Sequence, residues 1–114
     1  MALMLSGPLL AQKDVHGPEH GGLFVEGKEA DYEFVAKADL LQLYVRDHGK
    51  PMDLSKASAK VTLLAGSEKQ EVGFKPAGDK LEATGSFKVG AGTKAVAVVK
   101  NAGKTLGTAR FTLQ

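Results

Sequence analysis

Apolar and polar side chains alternate with a period of two along most of this chain. That period is typical of β-strands with one face turned toward a core, because successive side chains of a strand point to opposite faces. The clearest example is 40–47, followed by the turn residues of 47–51. In this strand the predicted core side is Leu41, Leu43 and Val45, and the predicted opposite side is Gln42, Tyr44 and Arg46.

The segment 31–37 alternates in the same way and predicts a second strand. Tyr32, Phe34 and Ala36 fall on its inward side. Asp31, Glu33 and Lys37 fall on the other side, which we expect to face solvent.

Further short strands are predicted at 23–25, 60–64, 70–75, 81–84, 87–89, 93–100 and 105–113, with glycine-containing turns between most of them. Seven or eight strands at about ten-residue spacing, without a sustained helical period, are typical of an antiparallel sandwich. The predicted fold is therefore all-β, an immunoglobulin-like antiparallel β-sandwich over residues 23–114. The predicted core is Phe34, Leu43, Val45, Val61, Val72, Phe74, Val96, Val98 and Phe111.

Composition fits one folded domain, with 43% hydrophobic and 25% charged residues in 114. The net charge of +2 gives no reason to expect nucleic acid as a partner. Charge is unevenly spread, since 12–39 holds seven acids and three lysines while 40–114 is net basic. Either the strands simply carry lysine on solvated faces, or the N-terminal region attracts cations. The absence of cysteine excludes disulfides and thiolate metal sites.

Residues 1–11 are mostly apolar and uncharged and end on Ala11. They resemble the last part of a secretory signal, and the alternative is an N-terminal strand. The stretch is too short to span a bilayer, so no stable membrane insertion is expected. Residues 12–22 contain two histidines, three glycines and a proline, which predicts a flexible arm.

Enzyme templates find no match in the sequence, because no nucleophile, acid or base falls in a recognised catalytic pattern. Metal binding is the strongest chemical hypothesis, with His16, His20 and His48 as candidate ligands. Imidazole suits copper(II) and zinc, and Glu19, Asp47 or Met52 are further candidate donors. The alternative is that all three histidines are ordinary polar loop residues.

The segments 20–22, 31–35 and 43–51 resemble small secreted bacterial β-sandwich domains associated with periplasmic heavy-metal and copper handling and with efflux adaptor proteins. The likeness continues through 61–64, 74–78 and 109–111. It implies a non-enzymatic, periplasmic or secreted domain whose partners are metal-efflux or other periplasmic proteins. The membrane-fusion hairpins and barrel domains of longer members are not found in these 114 residues, so pump-adaptor activity is not carried over.

A second hypothesis needs no metal. Sandwiches expose edge strands that can accept a strand from a partner. The predicted edges are Leu23–Val25 and Leu81–Val89, which would make the domain a protein–protein interaction module.

Overall fold

The structure, a computed structural model, describes residues 17–114, and every regular element in that range is a β-strand. The predicted signal remnant at 1–11 and His16 lie outside the described residues. The strands are β1 (Leu23–Glu26), β2 (Asp31–Ala36), β3 (Leu40–Asp47), β4 (Lys50–Pro51), β5 (Ala57–Ala65), β6 (Glu68–Ala77), β7 (Lys80–Thr84), β8 (Lys94–Asn101) and β9 (Lys104–Thr112).

All strand pairs are antiparallel, and the strand order is β1-β2-β3-β7-β6-β5-β8-β9, with β4 also paired to β3. Strand β6 belongs to both halves of this sheet, because its first seven residues pair with β5 and its last three with β7. The two halves of the sheet are joined at β6, and the terminal strands β1 and β9 are in contact. The molecule is therefore nearly barrel-shaped. The predicted antiparallel all-β class is confirmed.

Two hairpins use two-residue loops in which both central residues have positive φ. His48 and Gly49 join β3 to β4 with φ of 50° and 91°, and Ala102 and Gly103 join β8 to β9 with φ of 53° and 82°. Such loops match the twist of the flanking strands, and Asn or Gly adopts them at least cost. His48 therefore occupies a left-handed backbone position, which Asn, Asp and His adopt more often than other side chains, at the end of a strand that pairs with β2.

Aromatic rings from distant strands meet in the core. Phe34 of β2 lies with its ring centroid 5.2 Å from that of Phe111 in β9 and 6.5 Å from that of Phe74 in β6. These contacts hold the two halves of the sheet together by burying large apolar surfaces. The core predictions for Phe34, Leu43, Val45, Val61, Phe74 and Phe111 are confirmed, and Val72 is partly buried.

The predicted register of β8 is wrong by one residue. Val96 and Val98 are only partly buried, and Ala95, Ala97 and Val99 point inward instead. The run is apolar at nearly every position, so alternation could not identify its inner face. The small Ala95 lies opposite Phe111 in the β8–β9 register, where a larger side chain would compete with the aromatic ring for space.

The strand predicted at 87–89 is also wrong. After β7 the chain runs without regular structure to β8, and Phe87 is buried as part of the core. The N–H groups of Gly85 and Phe87 donate to the carbonyls of Asp39 and Ala38, at 3.2 and 2.8 Å. These hydrogen bonds hold the segment against the β2–β3 connection. Its apolar residues resemble those of a strand, but the segment is not one.

Replacing Phe111 by alanine is expected to lower the free energy of unfolding by about 3–5 kcal/mol, because the cavity would open between β2 and β9. Leu64→Ala is the control, since Leu64 is 42% exposed and we expect a change of about 0.5 kcal/mol or less. Urea unfolding of both variants measures the difference. Equal losses would contradict the core described above.

Candidate functional site

Two carboxylates lie on the face of β2 that points away from the core, and both are buried. Asp31 is 2% exposed and Glu33 is 1% exposed. The expectation that these residues face solvent is therefore wrong. Alternation placed them correctly on the side opposite Tyr32 and Phe34, but over Glu33 that side is covered by another part of the chain.

The cover over Glu33 is formed by Gly17–Gly22, which we call the arm segment. Glu33 Oε1 accepts a hydrogen bond from the backbone N–H of Glu19 at 2.9 Å. Its Oε2 accepts from the N–H groups of His20 at 2.8 Å and Gly22 at 2.9 Å. His20 Nδ1 lies 3.0 Å from Oε1 as the fourth partner. One carboxylate thus ties three backbone positions of the arm segment to the sheet.

The imidazole of His20 is fixed on its face as well as at its nitrogen. It stacks on the phenol ring of Tyr44 with a centroid separation of 3.6 Å and an angle of 6° between the planes. Tyr44 is the cross-strand partner of Glu33, and Lys80 Nζ lies 5.7 Å from the centre of the phenol ring. The stack explains why Tyr44 is buried although it points away from the core.

Two further contacts fit the arm segment to this face. The guanidinium of Arg46 pairs with the carboxylate of Glu19. Gly22 lies so close to β2 that a Cβ added to it would be 2.9 Å from Val35 Cγ2. A side chain at residue 22 would therefore push the arm segment away from the strand.

The hydrogen bonds determine the charge state of Glu33. Burial by itself would raise the pKa of this carboxyl group, but the N–H groups of Glu19 and Gly22, together with His20, hold the pKa below its ordinary value. Glu33 is therefore an anion at neutral pH, and it accepts a hydrogen bond from Nδ1–H of His20 when that nitrogen carries the proton. The ring nitrogen then available to a metal is Nε2, on a side chain that is 33% exposed.

His48 lies beside the other buried carboxylate. Its Nδ1 is 3.8 Å from Asp31 Oδ1, which is too long for a hydrogen bond. The imidazole is 53% exposed, whereas the carboxylate side chain beside it is 1% exposed. Neither oxygen of Asp31 has a hydrogen-bond partner within the described range 17–114.

The structure thus places two of the three predicted histidines at neighbouring carboxylates of one strand. His20 contacts Glu33, His48 approaches Asp31, and Asp31 and Glu33 are two residues apart on the same face of β2. Across residues 17–114 no three His, Cys, Asp or Glu side chains form a group that could hold one metal ion.

The other predicted donors are not at a shared centre. Glu19 pairs with Arg46, Asp47 is exposed, and Met52 packs against the core. Sequence reasoning missed Asp31, Glu33 and Tyr44 as site residues, because alternation cannot reveal that a glycine-rich segment returns to cover a polar face. The close glycines Gly21 and Gly22 were the available signal, since they allow tight backbone contact.

No helix in the range 17–114 is long and apolar enough to cross a bilayer. Comparisons of the chain with protein-family models, curated proteins and solved structures give no match.

Glu33→Gln is expected to lower the free energy of unfolding at pH 7 by about 1–3 kcal/mol, because a neutral amide replaces a charged acceptor of several hydrogen bonds. The pKa of Glu33 is lowered in the folded state, so its stabilising contribution is complete above the ordinary glutamate pKa. It is lost as the pH falls through the lower folded value. The difference between wild type and variant should therefore shrink in acid.

Urea unfolding at neutral pH and at progressively lower pH measures this difference. Glu71→Gln is the matched control, because Glu71 is an exposed carboxylate in β6 whose loss should change stability little at either pH. A Glu33→Gln difference that stays constant down to the lowest pH would contradict the assignment of Glu33 as a buried anion.

Proposed function

We propose that this protein is a non-enzymatic periplasmic or secreted domain that binds a transition metal, copper or zinc, weakly through loop histidines. The observation that carries the proposal is the contact between His20 Nδ1 and the buried carboxylate of Glu33, at 3.0 Å. Metal-binding histidines commonly donate one ring N–H to a carboxylate, which orients the other nitrogen toward the metal. His20 has this arrangement before any metal binds.

The choice of metal follows from the donors. Neutral imidazole nitrogen suits copper(II) and zinc, and the chain has no thiolate that would strengthen either. His20 and His48 supply the imidazoles in the described residues, and His16 is the third proposed ligand. Binding by few protein ligands, with water in the remaining positions, accounts for a weak site.

An immunoglobulin-like topology is the fold we infer within the antiparallel all-β class. In support, β2, β3 and β7 are neighbours in one half of the sheet, and β6, β5, β8 and β9 are neighbours in the other. The chain passes from one half to the other between β3 and β5 and between β7 and β8. This order corresponds to strands A, B and E opposite C, F and G of an immunoglobulin-like sandwich, with β6 linking the halves.

Export and partners are inferred from the sequence. The apolar segment 1–11 supports passage through a secretory route, and the resemblance to metal-handling domains supports metal-efflux or other periplasmic proteins as partners. Both inferences stand apart from the metal proposal and would survive its failure.

The second candidate function is a metal-free interaction module that uses a sheet edge. Of the two predicted edges, Leu81–Val89 contains most of β7, whose residues Lys80–Glu82 pair with β3 on one side and with β6 on the other. Leu23–Glu26 pairs with β2 alone in the described part of the sheet and is only four residues long. A terminal strand that pairs on one side only leaves backbone N–H and C=O groups to which a partner strand can add.

Titration with copper(II) or zinc is expected to move the imidazole NMR resonances of His20 and His48 in a saturable way. His20→Ala should lower the affinity several-fold, because Nε2 of that ring is lost as a ligand. Magnesium is the control ion, since it prefers oxygen ligands and should leave the ring signals in place. No movement at metal concentrations up to roughly 1 mM would overturn the metal proposal and leave the interaction module.

A further inference from the structure

Asp31 carries a buried carboxyl group that has no hydrogen-bond partner in the described part of the chain. It is 2% exposed, and neither of its oxygens accepts a hydrogen bond from residues 17–114. Buried polar groups are nearly always hydrogen-bonded, and an unpaired buried carboxylate costs several kcal/mol. A cation close to the carboxylate would offset this cost.

The basic residue opposite Asp31 in the sheet pairs with a different acid. Arg46 is the β3 partner of Asp31 in the strand register, but its guanidinium pairs with Glu19 of the arm segment. Glu26, the β1 partner of Asp31, is itself an acid. The one basic group of the described residues within ion-pair distance of Asp31 is the imidazole of His48.

His48 and Asp31 are farther apart than His20 and Glu33. That pair is separated by 3.0 Å, a hydrogen-bond distance, whereas His48 Nδ1 and Asp31 Oδ1 are 3.8 Å apart. Zinc binds nitrogen and carboxylate oxygen at about 2.0–2.2 Å, so two ligands of one ion lie roughly 3.4 Å apart at a tetrahedral angle and roughly 4.2 Å apart when collinear. The separation of 3.8 Å falls inside this interval.

We propose that Asp31 and His48 together bind one divalent transition-metal ion, with Asp31 as a direct ligand and water in the positions that no protein group fills. This inference rests on the proposed metal-binding function and names a ligand that is not a histidine. The exposure of His48 lets water and the ion enter, and the buried Asp31 supplies the negative charge. Zinc and copper(II) both accept one imidazole and one carboxylate.

Glu33 has a different role from Asp31, although both lie on one face of β2. Glu33 is occupied by three N–H groups and the His20 ring, so it positions the arm segment and His20. Asp31 makes no such bonds within 17–114, so both of its oxygens can bind an ion. Asp31 is thereby added, next to His48, as a carboxylate ligand of the proposed metal-binding function.

The turn at His48 offers a clean test of this assignment. His48 has a φ of 50°, a conformation that asparagine adopts readily, so His48→Asn removes the imidazole and keeps the hairpin. Asp31→Asn removes the charge and keeps the shape of the side chain. Asp47→Asn is the matched control, because Asp47 adjoins His48 in sequence but is exposed.

Zinc affinity is measured by calorimetry on the full chain and its variants, each checked for folding by its two-dimensional NMR spectrum. We expect Asp31→Asn and His48→Asn each to lower the affinity at least tenfold, and the double variant to lose little more. Asp47→Asn should stay within about twofold of wild type, because an exposed neighbouring charge acts only through screened solvent. In 13C-labelled wild-type protein, zinc should shift the side-chain carboxyl resonance of Asp31 and leave that of Asp47 in place.

The outcomes separate this inference from the function on which it rests. If wild-type protein binds no zinc or copper, the proposed function fails. If wild type binds and His48→Asn weakens binding, but Asp31→Asn behaves as Asp47→Asn does, only the role of Asp31 is overturned. If Asp31→Asn does not fold, the carboxyl resonance in wild type decides, and an unmoved Asp31 signal at saturating zinc overturns the assignment.

Discussion

Strand β2 is buried on both of its faces, and the half of the sheet formed by β1, β2, β3 and β7 depends on this constraint. Its inner side chains fill the core beside Phe74 and Phe111, while its outer side chains include two acids with almost no exposure. A carboxylate removed from water must find hydrogen-bond donors or a cation. The arm segment supplies donors to Glu33, and its position on the sheet follows from that requirement.

The two acids meet this requirement to different extents. The difference indicates a structural role for Glu33 and a binding role for Asp31. Glu33 has four partners, all from the arm segment, and their combined effect keeps it ionised. Asp31 has a histidine beyond hydrogen-bond distance and no other basic partner in the described chain. A satisfied carboxylate holds a loop in place, whereas an unsatisfied one beside an exposed imidazole retains the capacity to bind an ion.

Much of the fold was predictable because period-two alternation and turn residues are local signals. These signals predicted β2, β3, the part of β5 from 60 to 64, and the hairpin turns. Alternation failed in β8, where the run 95–99 is apolar at each position and Ala95 lies opposite Phe111. It also misled at Phe87, which reaches the core from a segment without strand pairing.

The sequence by itself determined the antiparallel all-β class, most strand positions and the histidines worth testing, since each depends on residues that are close along the chain. Only the tertiary structure decided that Asp31 and Glu33 are buried, that His20 stacks on Tyr44, and that His48 lies near Asp31. Those relations join residues up to 24 positions apart, as in His20 and Tyr44. The burial of Glu33 and the stack of His20 depend on the arm segment, whose path no local pattern encodes, and the approach of His48 to Asp31 depends on the pairing of β2 with β3.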